Sequence, residues 1–319
     1  MAIIYDATPD KKLNKAVFGE TIESIANEDS SVVYLDADLM NSSGTLGFWR
    51  RNPGQAINCG IAEANMMGVA AGLAAGGKRP YVHTFGPFAS RRCYDQVFIS
   101  IAYAKNSVRI FGSDPGVTAA FNGGTHMPFE DMALMRAIPH STVIDISDST
   151  MLASIMRQVR NREGLIYARF TRKSYSQIYS EDHTFSIGKG EVVREGSDAS
   201  VIACGLMVSE ALAAADILSA EGINIKVIDM FSVKPLDADL VLQTAKNTGA
   251  IITAENHNVI GGLGDAVAEV LLEAGVAVKF RKHGVRESFG SVGPQSYLQE
   301  FYGLTAARLC ETIKTTMQN

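Results

Sequence analysis

The sequence has little of what marks several protein classes. Its four cysteines, Cys59, Cys93, Cys204 and Cys310, lie far apart and show no CxxC spacing, which argues against a disulfide framework or a zinc site. Basic residues are not in excess: 29 Lys and Arg against 34 Asp and Glu give a net charge of -5, with the cations scattered, so no nucleic-acid partner is expected. No apolar run approaches membrane-spanning length. The N-terminus, MAIIYDATPDKKLNKAVFGE, lacks a basic region followed by a sustained apolar core. A cytoplasmic protein with no membrane association is the expectation. Walker A, GxSxG and HExxH motifs are missing, as is a carboxylate cluster suited to metal.

What is present is an ordinary globular composition, 46% hydrophobic and 20% charged, in a chain long enough for two domains. Apolar strand-like runs alternate with helical stretches: SVVYLDAD, a helix after Gly60, RPYVHTF, a helix through SRRCYDQVFISIAYAK, then SVRIFGSD, STVIDIS and LIYARFTRK. Such alternation predicts α/β architecture with a parallel sheet covered by helices. The passage SYSQIYSEDHTFSIGKGEVVREGSD is polar and turn-rich, and reads as a linker. A second alternation follows it, from ASVIACG to a final helix near Thr316. Two α/β domains are expected, 1–180 and 188–319.

Four segments carry candidate chemistry. NCGIAEANMMGVAAGLAAGG, from Asn58 to Gly77, holds one charge, Glu63, at the start of a small-residue helix. An acid there complements the helix dipole. In a tightly packed apolar helix it would also be poorly solvated and suited to sharing a proton with a bound partner. HTFGPFASRRCYDQ places Phe85 and Phe88 three apart, with Arg91 three further on, at a strand end where open α/β sheets bind ligands. Aromatics at that spacing are more often core than a ligand platform. FGSDPGVTAAFNGGTHMPFEDMALMRAIP reads as a structured loop before a helix, with His126 inside it. GGLGDAV opens a helix and could cradle phosphate, although its glycines suit a turn and close packing better.

In this order these segments resemble the carboxy-terminal half of thiamine diphosphate-dependent transketolases. GIAEANM resembles that family's GIxExNM, TFGPFASRRCYDQ its TFxxFxxRxxDQ, and NGGTHMPFEDMALMRAIP its DGPTHQPxEDLAxxRxxP. HNVIGGLGDAVAEVL and GVRESFGSVG resemble its carboxy-terminal domain, so nearly the whole chain is covered. The resemblance implies a pyrimidine-binding domain followed by a transketolase-type carboxy-terminal domain that mainly supports dimerisation. It implies that Glu63 bonds a ring nitrogen of the cofactor's aminopyrimidine, that Phe85 and Phe88 form the pyrimidine pocket, and that Arg91 lies at its edge. His126 would contact sugar hydroxyls, and Arg172 in ARFTRK would hold a sugar phosphate.

The family's diphosphate and divalent-ion motif, GDG, is absent from the sequence. The chain therefore resembles the second subunit of a split transketolase, with an amino-terminal partner supplying GDG and the magnesium or other divalent ion. Self-association and sugar or sugar-phosphate substrates are implied as well, the expected activity being transfer of a two-carbon ketol unit from a ketose, expected to be phosphorylated, to an aldose. Three positions depart from the pattern: Asp114 stands for the histidine after Gly-Ser, Asn122 for the acid of DGPTH, and Gln55 for an arginine before GIxE. An acid at 114 weakens phosphate binding nearby, which predicts a substrate pair other than the usual pentose phosphates. The rival readings are the beta subunit of a 2-oxo-acid dehydrogenase decarboxylase, a deoxyxylulose-phosphate synthase, and a non-catalytic assembly subunit. His83 could face cofactor, sugar or core.

Overall fold

The computed structural model describes residues 3–318. Its first sheet has seven strands in the order β10-β5-β6-β4-β3-β1-β2, drawn from β1 (Val32–Asp36), β2 (Ala56–Asn58), β3 (Arg79–Phe85), β4 (Val108–Ser113), β5 (Thr142–Asp145), β6 (Leu165–Phe170) and β10 (Ser232–Lys234). β1 to β6 pair in parallel. Residues of β1, β4, β5 and β6 are buried throughout, as expected for a parallel sheet covered on both faces. One cover is the helix Asn14–Glu28, whose Phe18, Ile22 and Ile25 join Leu152, Ile155 and Met156 of the helix Ser149–Gln158 in the core.

The second sheet has the order β12-β11-β8-β9-β7, formed by β7 (Glu191–Arg194), β8 (Ala199–Ala203), β9 (Ile225–Asp229), β11 (Ala250–Asn258) and β12 (Lys279–Val285). It is parallel except for β7, which runs antiparallel to β9. Two α/β sheets thus match the expected class. β10 departs from a simple division, because it leaves the second half of the chain to pair antiparallel with β5 in the first sheet.

Other local expectations change too. The polar passage after β6 is packed rather than slack: Tyr175, Ile178, Tyr179 and Phe185 are buried, and Asp148 accepts from the backbone of Ile178 and Tyr179 while capping its own helix at Met151. The single helix expected through SRRCYDQVFISIAYAK is a tight turn at Arg91–Cys93, a short helix, and a wide π-type helix at Val97–Tyr103. The four cysteines are unpaired. Among the described residues, no helix is long and apolar enough to cross a membrane.

The halves meet in a buried polar seam. Arg169, fully buried on β6, donates to Asp131 at 3.0 Å and Asp145 at 2.8 Å, and also to the Asn256 carbonyl on β11. Tyr167 donates to the other oxygen of Asp131. The Asn256 side chain accepts from the Val117 backbone and donates to the Pro115 carbonyl, which fixes the chain as it leaves β4. Gly116 (φ +50°) lies so close to Asn256 that an added Cβ would overlap it.

Candidate active site

The carboxyl ends of the parallel strands deliver the candidate residues to one place, as open α/β sheets do. Glu63 follows β2. Gly60, at φ +71°, turns the chain there while its N–H donates to the Asn58 side chain. Glu63 is the first residue of the helix Glu63–Ala75 and only 3% exposed, with Met66, Met67, Ala70 and Ala71 buried behind it. That helix is not enclosed all round, as its small residues suggested. Its face bearing Asn65, Gly68, Val69 and Gly72 is exposed, and a Cβ at Gly68 or Gly72 would meet nothing within 4 Å.

Glu63 opens on a hollow of about 490 Å³ lined by Ile61, Ala62, Ala64, Asn65 and Arg92. Its Oε1 accepts from Arg92 Nη1 at 2.9 Å. The guanidinium carbon of Arg92 sits 3.6 Å from the centroid of the Phe88 ring. Arg91, expected at the edge of the pocket, donates to Glu130 at 2.6 Å and to the Thr125 carbonyl, next to His126. Arg92 was not anticipated, although it, rather than Arg91, is the arginine separated by two residues from the Asp95-Gln96 pair, as in the RxxDQ pattern.

Phe85 ends β3, and the turn Gly86–Ala89 carries Phe88. Their rings lie 6.1 Å apart, edge to face, and the half-buried His126 ring approaches both, at 5.3 and 5.0 Å. His126 shares a hydrogen bond with Thr125 Oγ1 at 2.9 Å. Burial first, and then the Arg92 and Arg172 charges, push its pKa down, so the imidazole is neutral at physiological pH. Gly124 packs against Gly290, bringing the GVRESFGSVG segment onto the loop that holds His126. The carboxy-terminal domain therefore buttresses the site, a role beyond the expected dimer support.

Arg172 follows β6, its guanidinium 4.7 Å from the Phe85 centroid. Asp114 holds it: Oδ2 accepts from Nε at 2.8 Å and from Nη2 at 2.5 Å, while Oδ1 accepts from the Arg172 backbone N–H. Asp114 itself has φ +57°. Asn122 is exposed on the loop before His126. Glu63, Arg92, Phe88, His126, Phe85, Arg172 and Asp114 thus form one continuous chain of contacts.

Two other candidates fall elsewhere. His83 belongs to the core: it is fully buried beside Phe18 and Phe170, with Nδ1 3.1 Å from Asp36, a carboxylate that also accepts from Tyr34. The GGLGDAV turn is already filled by an acid. Glu255 accepts from the Leu263 and Gly264 N–H groups at 2.8 Å each, and a Cβ on Gly262 would overlap its carboxylate. Gln55, where an arginine was the pattern, spends its amide on the backbone carbonyls of Ala26, Asp29 and Val32. Among the described residues, no group of three or more His, Cys, Asp or Glu side chains is placed to hold a metal ion.

The family models agree with this architecture: transketolase, pyrimidine binding domain, matches residues 11–177, and transketolase, C-terminal domain, matches residues 188–309. The chain belongs to the transketolase family. It is 49% identical to the 6-deoxy-6-sulfo-D-fructose transketolase subunit SqwH of Clostridium sp. strain MSTE9 over 284 residues, covering 89% of this chain and 88% of that one. A solved structure described as "Split gene transketolase, inactive beta4 tetramer" superposes with a TM-score of 0.88 at 38% identity, covering 96% of this chain and 98% of that one. The 1-deoxy-D-xylulose-5-phosphate synthase of Heliobacterium modesticaldum is 35% identical over 93% of this chain, but the match spans 46% of that enzyme. This transketolase-family chain is accordingly a split-transketolase homologue.

Proposed function

We propose that this chain is the pyrimidine-binding and substrate half of a cytoplasmic two-chain transketolase, with its two domains dividing between residues 180 and 188. The complete enzyme would move a two-carbon ketol unit from a ketose to an aldose. The observation that carries this reading is the buried Glu63 carboxylate at a helix N-terminus, opening beside the Phe88 ring in a chain without GDG. The partner chain would supply that motif and the magnesium or other divalent ion. Thiamine diphosphate, when bound, supplies an acidic thiazolium carbon that becomes the nucleophile. Glu63 would hold a proton at the aminopyrimidine ring nitrogen, and Phe85 and Phe88 would enclose that ring, with Arg91 at the edge of the pocket bonded to Glu130. Neutral His126 is suited to hydrogen-bond sugar hydroxyls, with Asn122 at the rim. The exposed Gly68-Val69-Gly72 face supports self-association, as does the beta4 assembly of the structural neighbour.

The pairing of Arg172 with Asp114 bears on the far end of the sugar. A phosphate carries close to two negative charges at pH 7 and must compete with Asp114 for one guanidinium. We infer a donor whose far end is a monoanion or neutral. The 49% identical relative is named for a sulfonated fructose, which supports that choice.

The test is a substrate panel on the chain assembled with a GDG-bearing partner: xylulose 5-phosphate with ribose 5-phosphate, fructose, 6-deoxy-6-sulfofructose, and pyruvate. Ketol transfer from the sulfonated or uncharged ketose, lost in Glu63→Ala, is the expected result. Condensation of pyruvate would favour the synthase reading, and turnover unchanged by Glu63→Ala would favour the non-catalytic one.

A further inference from the structure

Glu63 and Phe88 are the two groups that a flat, nitrogen-bearing ring needs here, one to bond its edge and one to cover its face. In the chain alone both are engaged by a single side chain. Arg92 donates from Nη1 to Glu63 Oε1 at 2.9 Å, and its planar guanidinium lies 3.6 Å over the Phe88 ring. Guanidinium and aminopyrimidine share the features that matter: both are planar, both share a hydrogen with the Glu63 carboxyl group (a guanidinium N–H donated to it, or its proton shared with the ring nitrogen), and both stack on aromatic faces. One stacked face of Phe88 cannot be covered by both.

We propose that Arg92 is a place-holder for the cofactor's pyrimidine, a latch that closes the site in the resting chain and is displaced when the ring enters. This rests on the assignment of the Glu63 site to thiamine diphosphate. The latch has a physical purpose. A carboxylate as buried as Glu63, at 3% exposure, is costly to leave without a partner. Arg92 supplies one at small cost, because its own side chain is 45% exposed and can swing into water when released. The neighbouring arginine cannot substitute, being held by Glu130 and the Thr125 carbonyl.

Displacement makes a prediction opposite in sign to direct binding. A residue that contacts the cofactor loses affinity when truncated, whereas a competitor for the same groups raises it. The experiment is calorimetric and stopped-flow binding of thiamine diphosphate with magnesium to the complex of this chain with its GDG-bearing partner, comparing wild type, Arg92→Ala and Arg92→Lys. Removing an internal competitor is expected to tighten binding about three- to tenfold, through a faster association rate with dissociation little changed. Lys, which keeps the charge but not the stacking plane, should fall between. Weaker or unchanged binding in Arg92→Ala, with wild type binding normally, would overturn the latch alone. Failure of wild type and both variants to bind would overturn the cofactor assignment and the latch with it. Binding that appears only once Arg92 is replaced would support the latch in its strongest form.

Discussion

Asp114→Asn isolates the charge of one side chain at the proposed substrate site. Asp114 sits at φ +57°, a conformation Asn tolerates as well as Asp, and an amide oxygen can still accept the Arg172 backbone N–H. The substitution therefore leaves the turn intact and removes a charge. A group bound to the free edge of the Arg172 guanidinium would lie about 6 Å from the Asp114 carboxylate, where each unit charge costs about 0.7 kcal/mol in water and about 3 kcal/mol at an effective dielectric of 20. The lower figure governs, because Arg172 stands between the charges and its side chain is 22% exposed. Relief of about 0.7 kcal/mol per charge predicts a KM unchanged for an uncharged ketose, about threefold lower for a sulfonate, and about tenfold lower for a phosphate. The assay is steady-state ketol transfer by the assembled two-chain enzyme with three ketoses differing only in that terminal group. Equal gains for all three would show that the substitution acts on the loop rather than on charge. No gain for the phosphate would refute the placement of the substrate's far end at Arg172.

Two further predictions concern the seam between the halves. Arg169→Met leaves Asp131 and Asp145 buried without their cation, which is expected to cost about 3–5 kcal/mol in urea unfolding near pH 7; a loss under about 1 kcal/mol would contradict the assigned network. Glu255→Gln tests proton linkage: burial pushes Glu255 up to about 7, so its contribution is full below pH 4.5 and lost as pH rises through 7. Burial pushes neighbouring His257 down to about 4, so its contribution is full above 6.5 and lost as pH falls toward 4. The two slopes oppose each other in the wild type. With Glu255 replaced, the urea midpoint should rise with pH between 4 and 6.5, and a flat profile would argue against the His257 assignment.

Much of the fold was legible because its signals are local. Apolar runs ending in Asp36, Phe85, Ser113 and Phe170 read directly as buried parallel strands, and the segments after them carried the candidate residues. Partner choice across long separations was not legible. Ser232–Lys234 is three residues long, and nothing within it says that it will pair with Thr142–Asp145 in the other sheet. Arg169 is indistinguishable in sequence from a surface arginine until the sheet places it between Asp131 and Asp145. The same holds at the site, where Arg91 and Arg92 are adjacent and alike in type. The tight turn at Arg91–Cys93 sends one toward Glu130 and the other toward Glu63. The glycine turn GGLGDAV reads as a turn with close packing, and what packs against it is the Glu255 carboxyl group, which no local signal named.

If the site is half of a two-chain one, as proposed, its charged groups must be stable before the other half arrives, and the ion pairs here supply that stability. Arg91, Arg92 and Arg172 each hold one carboxylate, Glu130, Glu63 and Asp114 respectively, so the face carries cations and anions in matched numbers. Ligand binding on such a face exchanges partners, giving up one charge-assisted bond for each new one, and so yields little net affinity. Tight cofactor binding would then depend on contacts that replace nothing on this chain, those of the diphosphate and its metal ion with the partner. On the proposed two-chain reading, this chain would contribute selectivity and the assembled complex would contribute affinity.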